Sequence, residues 1–575
     1  MFSLSGLLVR AQKDHVLEVE LSGPPRGLLR SQPGVDIIEF HRMKEHQHQI
    51  TRYKAIGIAS CISGDTSSKQ ASRQAKRWLR DCMANHPGCN FAQAKARQSP
   101  TRLIQLKSTS LDGWNVRLYE PKQESVEYAC LSHCWGDIQP LRTTQNCFKQ
   151  FKQVIEWDKL PRTFQDAVSV ARSLKVHYIW IDSLCIIQDS QDDWGRECGQ
   201  MARIYQNAVV TIAAMGASNS TGGCFSTARQ SSYSYKIADC GTPKQPDGIF
   251  IRQKIKHIYD VPGTNKQSFP LLSRAWFFQE RLHSSRLLHF CSEELVWECR
   301  ERHSCECFGA CFHDTGRVTR KKPKSSFVND QIAEDLKKEW SSFINAYSKL
   351  NLTFESDYLP ALSGTAQEMQ RQGKGRYLAG LWEDSLLQGL LWRPADENRP
   401  MARPKNWRAP TWSWASVVGP VTYGDRKDLN ASSISGQIGI IDVRYKPAGV
   451  DPTGEAASAS LIVSARIVPL MLGFCRNKPA YTLELLQPHT SDHFVPDFDL
   501  GFPVRHSKEV HAMRLFREGY STAYLVLLCL DKSRQTYERI GFAMTAQEYP
   551  NADNFGTRLG RLFNDANNER IVTIV

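Results

Sequence analysis

The sequence predicts an α/β fold with a β-rich region in its carboxyl-terminal part. Between residues 101 and 225, short apolar stretches typical of strands alternate with amphipathic stretches typical of helices. This alternation predicts a mostly parallel sheet with helices on both of its faces. From about residue 407 onward, strand-like stretches succeed one another with Pro-, Gly- and Asp-rich connections between them. That second pattern predicts an α+β region dominated by strands.

The elements of the alternating part can be assigned in order. The predicted strands are 103–106, 114–118, 128–132, 178–182 and 209–214. Strand 178–182 is almost entirely apolar, which is typical of a strand buried on both faces. A helical pattern over 74–82 precedes these strands, and a second helix begins near Pro161, a residue that suits the first helical turn. A third helix is predicted to run through Trp194, Cys198, Met201 and Tyr205.

Composition shifts divide the whole chain into four regions. We predict an amino-terminal extension over 1–75 and a main domain over 76–300, with its core at 128–225 and a closing segment at 271–300. A linker with helices at 329–350 and 359–372 would occupy 301–405. The β-rich region would occupy 406–575, with strands at 438–443, 461–468, 524–530 and 571–575.

The composition is that of a globular protein. Hydrophobic residues make up 41% and charged residues 23% of the 575 residues, which excludes a fibrous or wholly disordered chain. The net charge of +14 permits contact with nucleic acid or with an anionic ligand, but it indicates neither by itself. No apolar run approaches the ~20 residues that span a bilayer, and no secretory leader is evident. We therefore expect a cytoplasmic protein without membrane insertion.

A basic run, Arg-Lys-Lys-Pro-Lys at 320–324, leaves a nuclear location open. Such a run would suit an import signal or a nucleic-acid contact. A solvated loop is the simpler interpretation. We therefore do not expect nucleic acid as a partner.

Cysteine is frequent, with 17 residues. The number is odd and the chain is much larger than a disulfide-stapled secreted module, so we expect reduced thiols. Two groups have residue types that bind zinc. One has a CxxxHxxC spacing, and the other crowds into residues 299–313. The first contains Cys82, His86 and Cys89, and the candidate zinc ligands of the second are Cys299, Cys305, Cys307 and Cys311, with His303 and His313 nearby. Neither has paired CxxC spacing, so free thiols remain the alternative.

Four blocks carry a resemblance to a known family. The first is Tyr-Ala-Cys-Leu-Ser-His-Cys-Trp-Gly at 128–136. The second is Leu-Pro-Arg-Thr-Phe-Gln-Asp-Ala at 160–167, continued by Tyr-Ile-Trp-Ile-Asp-Ser-Leu-Cys-Ile-Ile-Gln-Asp at 178–189. The third contains Trp194 and Glu197 and closes with Gly-Cys-Phe at 223–225. The fourth is Arg-Ala-Trp-Phe-Phe-Gln-Glu-Arg-Leu at 274–282. In this order, the blocks resemble the fungal heterokaryon incompatibility (HET) domain family. One departure is His133, where the family more often has Tyr.

The resemblance implies a protein of filamentous fungi that acts in non-self recognition and programmed cell death. HET domains are in turn thought to be distant relatives of TIR domains, some of which cleave NAD. The helix that bears Trp194 and Glu197 looks like the region that holds the glutamate of NAD-cleaving TIR enzymes. Its Trp-x-x-Glu spacing is one residue shorter than is usual there. The resemblance thus implies NAD as a candidate substrate and Glu197 as the key carboxylate.

The chemistry of that reaction suggests further site residues. Breaking the bond between nicotinamide and ribose develops positive charge on the sugar, which a carboxylate can stabilise. The candidate catalytic residues are Glu197 and Asp182. Ligands of open α/β sheets bind beyond the carboxyl ends of the strands. The candidate substrate-binding residues near those ends and in the fourth block are Ser132, His133, Trp135, Asp137, Arg274 and Arg281. The indole of Trp135 would stack on a ring, and the arginines would meet phosphates.

Simpler interpretations stay open for these residues. Asp182 would cap a turn, Glu197 would be solvated or ion-paired, and Trp135 would belong to the core. Arg274, Glu280 and Arg281 would form a structural ion-pair network. A HET domain without catalysis would instead assemble with itself or with a fungal receptor partner. A third hypothesis is an enzyme of secondary metabolism that reuses the scaffold.

Overall fold

A computed structural model describes most of the chain. The described residues are 7–11, 17–21, 37–43, 58–94, 98–108, 114–137, 139–239, 248–258, 268–307, 333–371, 375–396, 401–423, 438–475, 480–485, 491–494, 496–498, 500, 508–518, 521–545, 555–565 and 568–575. They group into two compact units, Met1–Asn329 and Asp330–Val575. The basic run at 320–324, Cys311 and His313 lie outside the described residues.

The amino-terminal unit combines strands with helices. Its strands are β1 Leu7–Ala11, β2 Leu17–Leu21, β3 Ile37–Met43, β4 Ile58–Ala59, β5 Leu103–Ser108, β6 Trp114–Tyr119, β7 Ala129–Ser132, β8 Tyr178–Trp180, β9 Val210–Ala214, β10 Tyr235–Asp239, β11 Gly248–Gln253, β12 Arg286–Phe290, β13 Leu295–Cys299 and β14 His303–Cys305. Its helices are α1 Lys69–Asn85, α2 Pro87–Ala94, α3 Gln145–Gln153, α4 Arg162–Ser173, α5 Asp182–Cys185, α6 Gln191–Cys198, α7 Met201–Asn207 and α8 Ala275–His283.

An eight-stranded sheet forms the centre of this unit. Its strand order is β14-β13-β12-β9-β7-β8-β5-β6. The pairs β12–β9, β9–β7 and β7–β8 are parallel, and antiparallel strands extend the sheet at both edges. Every residue of β7, β9, β12 and β13 is buried, as expected for strands between two layers. The predicted α/β class is therefore confirmed, but the sheet is mixed rather than mostly parallel, with three parallel and four antiparallel pairs. A separate six-stranded sheet contains β1, β2, β3, β4, β10 and β11.

The helix predicted through Trp194 and Tyr205 is divided in the structure. Helix α6 ends at Cys198 and α7 begins at Met201. Gly199 forms the carboxyl cap of α6, because glycine is a poor helix former and commonly stands where helices end. The strand predicted over 178–182 is also shorter than expected, since β8 ends at Trp180 and Asp182 opens the short helix α5.

The carboxyl-terminal unit is dominated by strands, as predicted. Its helices are α9 Ala333–Tyr347, α10 Pro360–Arg371, α11 Leu386–Gly389 and α12 Phe555–Asn564. Its strands are β15 Tyr377–Leu378, β16 Leu381–Trp382, β17 Arg393–Pro394, β18 Val421–Thr422, β19 Ile438–Pro447, β20 Ala456–Cys475, β21 Ala480–Leu485, β22 Ser491–Phe494, β23 Lys508–Glu518, β24 Ser521–Asp531, β25 Thr536–Thr545 and β26 Glu569–Ile574.

Strand β20 organises the main sheet of this unit. It is 20 residues long and pairs with β19, β21, β23 and β26. The pairs β23–β24, β24–β25 and β25–β26 complete a closed ring that returns to β20. Closure satisfies the backbone of strands that would otherwise form free edges. In the described part of the chain, no helix has both the length and the apolar character needed to cross a membrane.

Candidate functional site

Polar side chains from separate segments meet at the carboxyl end of β7 and β8. Ser132 is the last residue of β7, and the turn that follows it contains His133 and Trp135. Asp182 comes two residues after the end of β8. The indole Nε1 of Trp135 donates a hydrogen bond to Oδ2 of Asp182 at 2.8 Å. The ring atom Nδ1 of His133 lies 4.0 Å from Oδ1 of the same carboxylate.

Helix α8 contributes Glu280 to this cluster. Burial raises the pKa of Glu280 to about 8, and the charge of Asp182 acts in the same direction. The nearby hydroxyl groups of Ser132 and Tyr205, together with the positive charge of Arg274, oppose part of that rise in pKa. Glu280 therefore lies among the polar groups at the end of β7, and its carboxyl group is mostly protonated at neutral pH.

His133 is held in its neutral form. Burial lowers its pKa to about 4, with Asp182 opposing and Arg274 reinforcing the shift. Its ring packs edge-on against Phe164, with the ring centroids 5.0 Å apart. Among the described residues, neither Nε2 of His133 nor Oε2 of Glu280 has a hydrogen-bond partner. Buried polar atoms without partners call for an explanation, and a functional role is one of the common ones.

The cluster, which we call the β7–β8 cluster, has a buried part and an accessible part. Ser132, His133 and Glu280 are buried. Trp135 and Arg274 are partly exposed, and the side chain of Asp182 retains 22% of its accessible surface. Asp137 is exposed at the end of the turn. A ligand approaching from solvent would therefore meet the indole, the guanidinium group and the Asp182 carboxylate first.

The structure buries Glu197, and in the described part of the chain neither of its carboxylate oxygens has a hydrogen-bond partner. Its side chain is completely buried, and Oε1 lies 3.6 Å from Nη2 of Arg102. Burial raises the pKa of Glu197, while the nearby Thr101 and the charge of Arg102 lower it. Arg102 also forms an ion pair with Asp193 and donates from Nε to the carbonyl of Cys185 at 2.6 Å. Glu197 is thus part of a buried network that holds α6 to α5.

Arg281 lies outside the β7–β8 cluster as well. Its Nε donates to Oε2 of Glu298 on β13 at 2.9 Å. The same carboxylate oxygen lies 3.0 Å from Nε2 of the buried His289 on β12. Of the two arginines in the fourth sequence block, Arg274 thus belongs to the β7–β8 cluster, while Arg281 forms an ion pair with Glu298, a residue outside the predicted Arg274–Glu280–Arg281 network.

The cysteines predicted as zinc ligands are divided between two groups. Cys299 lies with Cys82, His86 and Cys89, whereas Cys305 and Cys307 lie with His257 and Glu294. Within each group, the candidate ligand atoms lie within 4.8 Å of one another. Cys130 and Cys185, which lie in the family-like blocks, are buried and burial raises the pKa of both, in keeping with a packing role.

Besides Glu280, which was expected only in an ion-pair network, sequence reasoning missed two contributors to these sites. Tyr205 donates from its hydroxyl to the carbonyl of Leu131 at 3.2 Å and also reaches Glu280. Arg102 stands directly before β5 and provides the charge that faces Asp193 and Glu197. A buried tyrosine on a helical face carries no local signal for such a role. An arginine beside an apolar strand is a weak signal, because only tertiary packing shows its partners.

The fold and the site together define an α/β domain with a polar cluster beyond the carboxyl ends of its parallel strands. Residues 128–280 match the model of a family described as Heterokaryon incompatibility protein (HET). This part of the chain is therefore similar to a HET domain, and we call it the HET domain below. The match begins at Tyr128 before β7 and ends at Glu280 in α8. No curated protein and no solved structure matches the chain.

Proposed function

We propose that the protein acts in a fungal non-self recognition and cell-death response, and that its HET domain does so by cleaving NAD at the β7–β8 cluster. The observation that carries this proposal is the convergence of Ser132, His133, Asp182, Arg274 and Glu280. These residues come from three separate parts of the matched region. Ligands of α/β sheets bind at this end of parallel strands. The TIR likeness that suggested NAD remains a prediction.

The accessible groups have complementary chemistry for a dinucleotide. The guanidinium of Arg274 would pair with a phosphate, and the indole of Trp135 would stack on a ring. In hydrolysis, the bond between the nicotinamide nitrogen and ribose C1′ breaks, and its electron pair leaves with nicotinamide. Water adds to C1′ and releases a proton to solvent. The carboxylate of Asp182 would stabilise the positive charge that develops on the ribose.

In this proposal, Glu197 is a positioning residue rather than a catalytic one. Its charge partner Arg102 donates to the carbonyl of Cys185, the last residue of α5. Asp182 is the first residue of that same helix. Replacing Glu197 would therefore disturb Asp182 through Arg102 and α5, and would weaken the fold at the same time.

The direct test is the release of nicotinamide from NAD by the purified full chain, including self-associated preparations. Asp182→Asn should lower the rate at least about 100-fold, because it removes the charge that faces the ribose. Glu197→Gln should lower the rate less than about 10-fold and should also lower the melting temperature. The control Asp192→Asn changes an exposed aspartate of α6 and should keep the wild-type rate. The proposal is wrong if the wild type releases no nicotinamide, or if Asp182→Asn is as fast as the wild type.

A second function has its own supporting observation. Ser132, His133 and Glu280 are buried, so much of the β7–β8 cluster could serve to hold the domain together. The HET domain would then signal by assembling with itself or with a receptor. Cell death caused by an Asp182→Asn chain that folds but does not cleave NAD would favour assembly over catalysis.

A further inference from the structure

Four zinc-binding residue types converge on one point at the edge of the central sheet. Cys82 lies in the last turn of α1, His86 directly follows that helix, and Cys89 lies in the first turn of α2. Cys299 is the last residue of β13. The three thiols are almost fully buried and the imidazole is partly exposed. The four candidate ligand atoms lie within 4.8 Å of one another.

The spacing of these atoms agrees with a tetrahedral zinc site. Bonds of about 2.3 Å to sulfur and about 2.0–2.1 Å to nitrogen place ligand atoms about 3.8 Å apart for two sulfurs and about 3.6 Å apart for sulfur and nitrogen. The observed distance from Sγ of Cys299 to Nδ1 of His86 is 3.4 Å. In the second group, the sulfurs of Cys305 and Cys307 are only 3.1 Å apart, which is too close for two ligands of a tetrahedral zinc.

Backbone N–H groups point at two of the three sulfur atoms. The backbone N–H of Arg302 donates to Sγ of Cys299 at 3.2 Å. The backbone N–H groups of Arg300 and Glu301 form hydrogen bonds with the Cys89 sulfur. Such outer hydrogen bonds orient metal ligands and stabilise their negative charge. The buried guanidinium group of Arg286 lies near Cys82, and its positive charge would offset the excess negative charge of three thiolates around a divalent ion.

We propose that Cys82, His86, Cys89 and Cys299 bind a structural zinc ion. Cys82 to Cys89 precede the region that matches the HET model, and Cys299 follows it. The ion would therefore tie together the two segments that flank the HET domain. The same two segments are also joined directly, since the backbone N–H of Gly88 donates to Oε1 of Glu301 at 2.5 Å. With all four positions filled by protein, the ion would have no open site for substrate. This proposal is independent of NAD cleavage.

The test measures zinc in the full chain purified without chelators. The wild type should carry about one equivalent more zinc per chain than Cys89→Ser, because three ligands hold the ion poorly. The matched control Cys224→Ser changes another buried thiol, one that lies in neither group, and should keep the wild-type content. Any zinc bound at Cys305 and Cys307 would be present in both the wild type and Cys89→Ser, so it would not contribute to the difference in zinc content between them. Wild-type zinc below about a tenth of an equivalent would overturn the proposal, as would equal content in wild type and Cys89→Ser.

Two variants of His86 test the site independently, in case Cys89→Ser loses zinc only because it misfolds. His86→Cys replaces the partly exposed ligand with another good one and should retain the zinc, whereas His86→Ala should lose most of it. A strong chelator should lower the melting temperature of the wild type by about 5 °C or more, since a structural metal stabilises the fold that binds it. The same chelator should leave the melting temperature of His86→Ala unchanged. An equal response of both proteins would contradict a site at these residues.

Discussion

At the scale of single residues, the main feature is that burial changes the protonation of two side chains in the HET domain. Burial holds His133 neutral and raises the pKa of Glu280 to about 8. Asp182 is the partly exposed carboxylate between them. A buried carboxyl group that keeps its proton can donate a hydrogen bond at neutral pH, and this ability is often found in functional sites. The two carboxyl groups of the cluster therefore differ in environment.

The raised pKa of Glu280 predicts a pH dependence of stability. An unfolded glutamate loses its proton near pH 4.3, but the folded chain retains this proton up to about pH 8. The contribution of Glu280 is therefore fully present below about pH 4 and is lost as the pH rises toward 8. Glu280→Gln should gain stability relative to the wild type between pH 5 and pH 8, by up to about 4 kcal/mol.

Urea unfolding of both proteins at several pH values measures this difference. The contribution of His133 is present in both chains and cancels. Parallel stability curves for wild type and Glu280→Gln from pH 5 to pH 8 would show that Glu280 ionises normally in the folded protein, and would place it outside the buried cluster.

At the scale of elements, helix α4 is held to the turn at residues 223–225 by a buried aspartate. Oδ2 of Asp166 accepts the backbone N–H of Cys224 at 2.9 Å. The N–H of Gly223 donates to Oγ1 of Thr163 at 3.1 Å. Gly223 has a φ of +80°, and a Cβ atom there would lie 2.7 Å from Oδ2 of Asp166. The positive φ and the close approach to Asp166 thus explain why glycine suits the first position of the Gly-Cys-Phe segment in the third sequence block.

This geometry predicts opposite effects for two glycine replacements. Gly223→Ala should destabilise the protein by about 2–3 kcal/mol, because it combines a left-handed backbone with a close approach to Asp166. The control Gly195→Ala lies within α6, where a Cβ atom meets nothing within 4 Å, and it should stabilise by up to about 1 kcal/mol. Urea unfolding midpoints measure both. Equal shifts in the two midpoints would contradict the strain at Gly223.

At the scale of the whole molecule, the two units contain sheets of different construction. The amino-terminal unit has parallel strands at the centre of its main sheet, which leaves polar turns together at one end. The carboxyl-terminal unit has a closed ring that includes β20 and β26. Strand β26 is the last strand of the described chain, and it pairs with both β20 and β25. Closing the ring therefore depends on contacts between residues that are far apart in sequence.

Two neighbouring residues of β26 test that dependence. Val572 is fully buried, whereas Ile571 retains 61% of its accessible surface. Val572→Ser should destabilise the carboxyl-terminal unit by about 2–4 kcal/mol, because it removes buried methyl groups and buries a hydroxyl group. Ile571→Ser should change stability by less than about 1 kcal/mol. Protease resistance and urea unfolding distinguish them, and similar losses in both variants would contradict the observed orientation of the strand.

Local patterns were sufficient to predict most elements of the HET domain. The buried positions of α4 recur at helical spacing, and β7 and β9 are short apolar runs. The break between α6 and α7 was missed because the apolar spacing continues across Gly199. Of the predicted site residues, Ser132, His133 and Asp182 could be brought together from the sequence, since they follow neighbouring parallel strands.

The sequence by itself determined the class of the fold, the HET-like blocks and the residue types that bind zinc, because periodicity, motifs and composition are local properties. Only the tertiary structure decided which partner each polar side chain has. It places Glu197 beside Arg102, Arg281 beside Glu298, and Cys299 with Cys82 rather than with Cys305. These pairings join residues from distant segments, and they depend on burial and on the directions of side chains, which spacing along one chain does not encode.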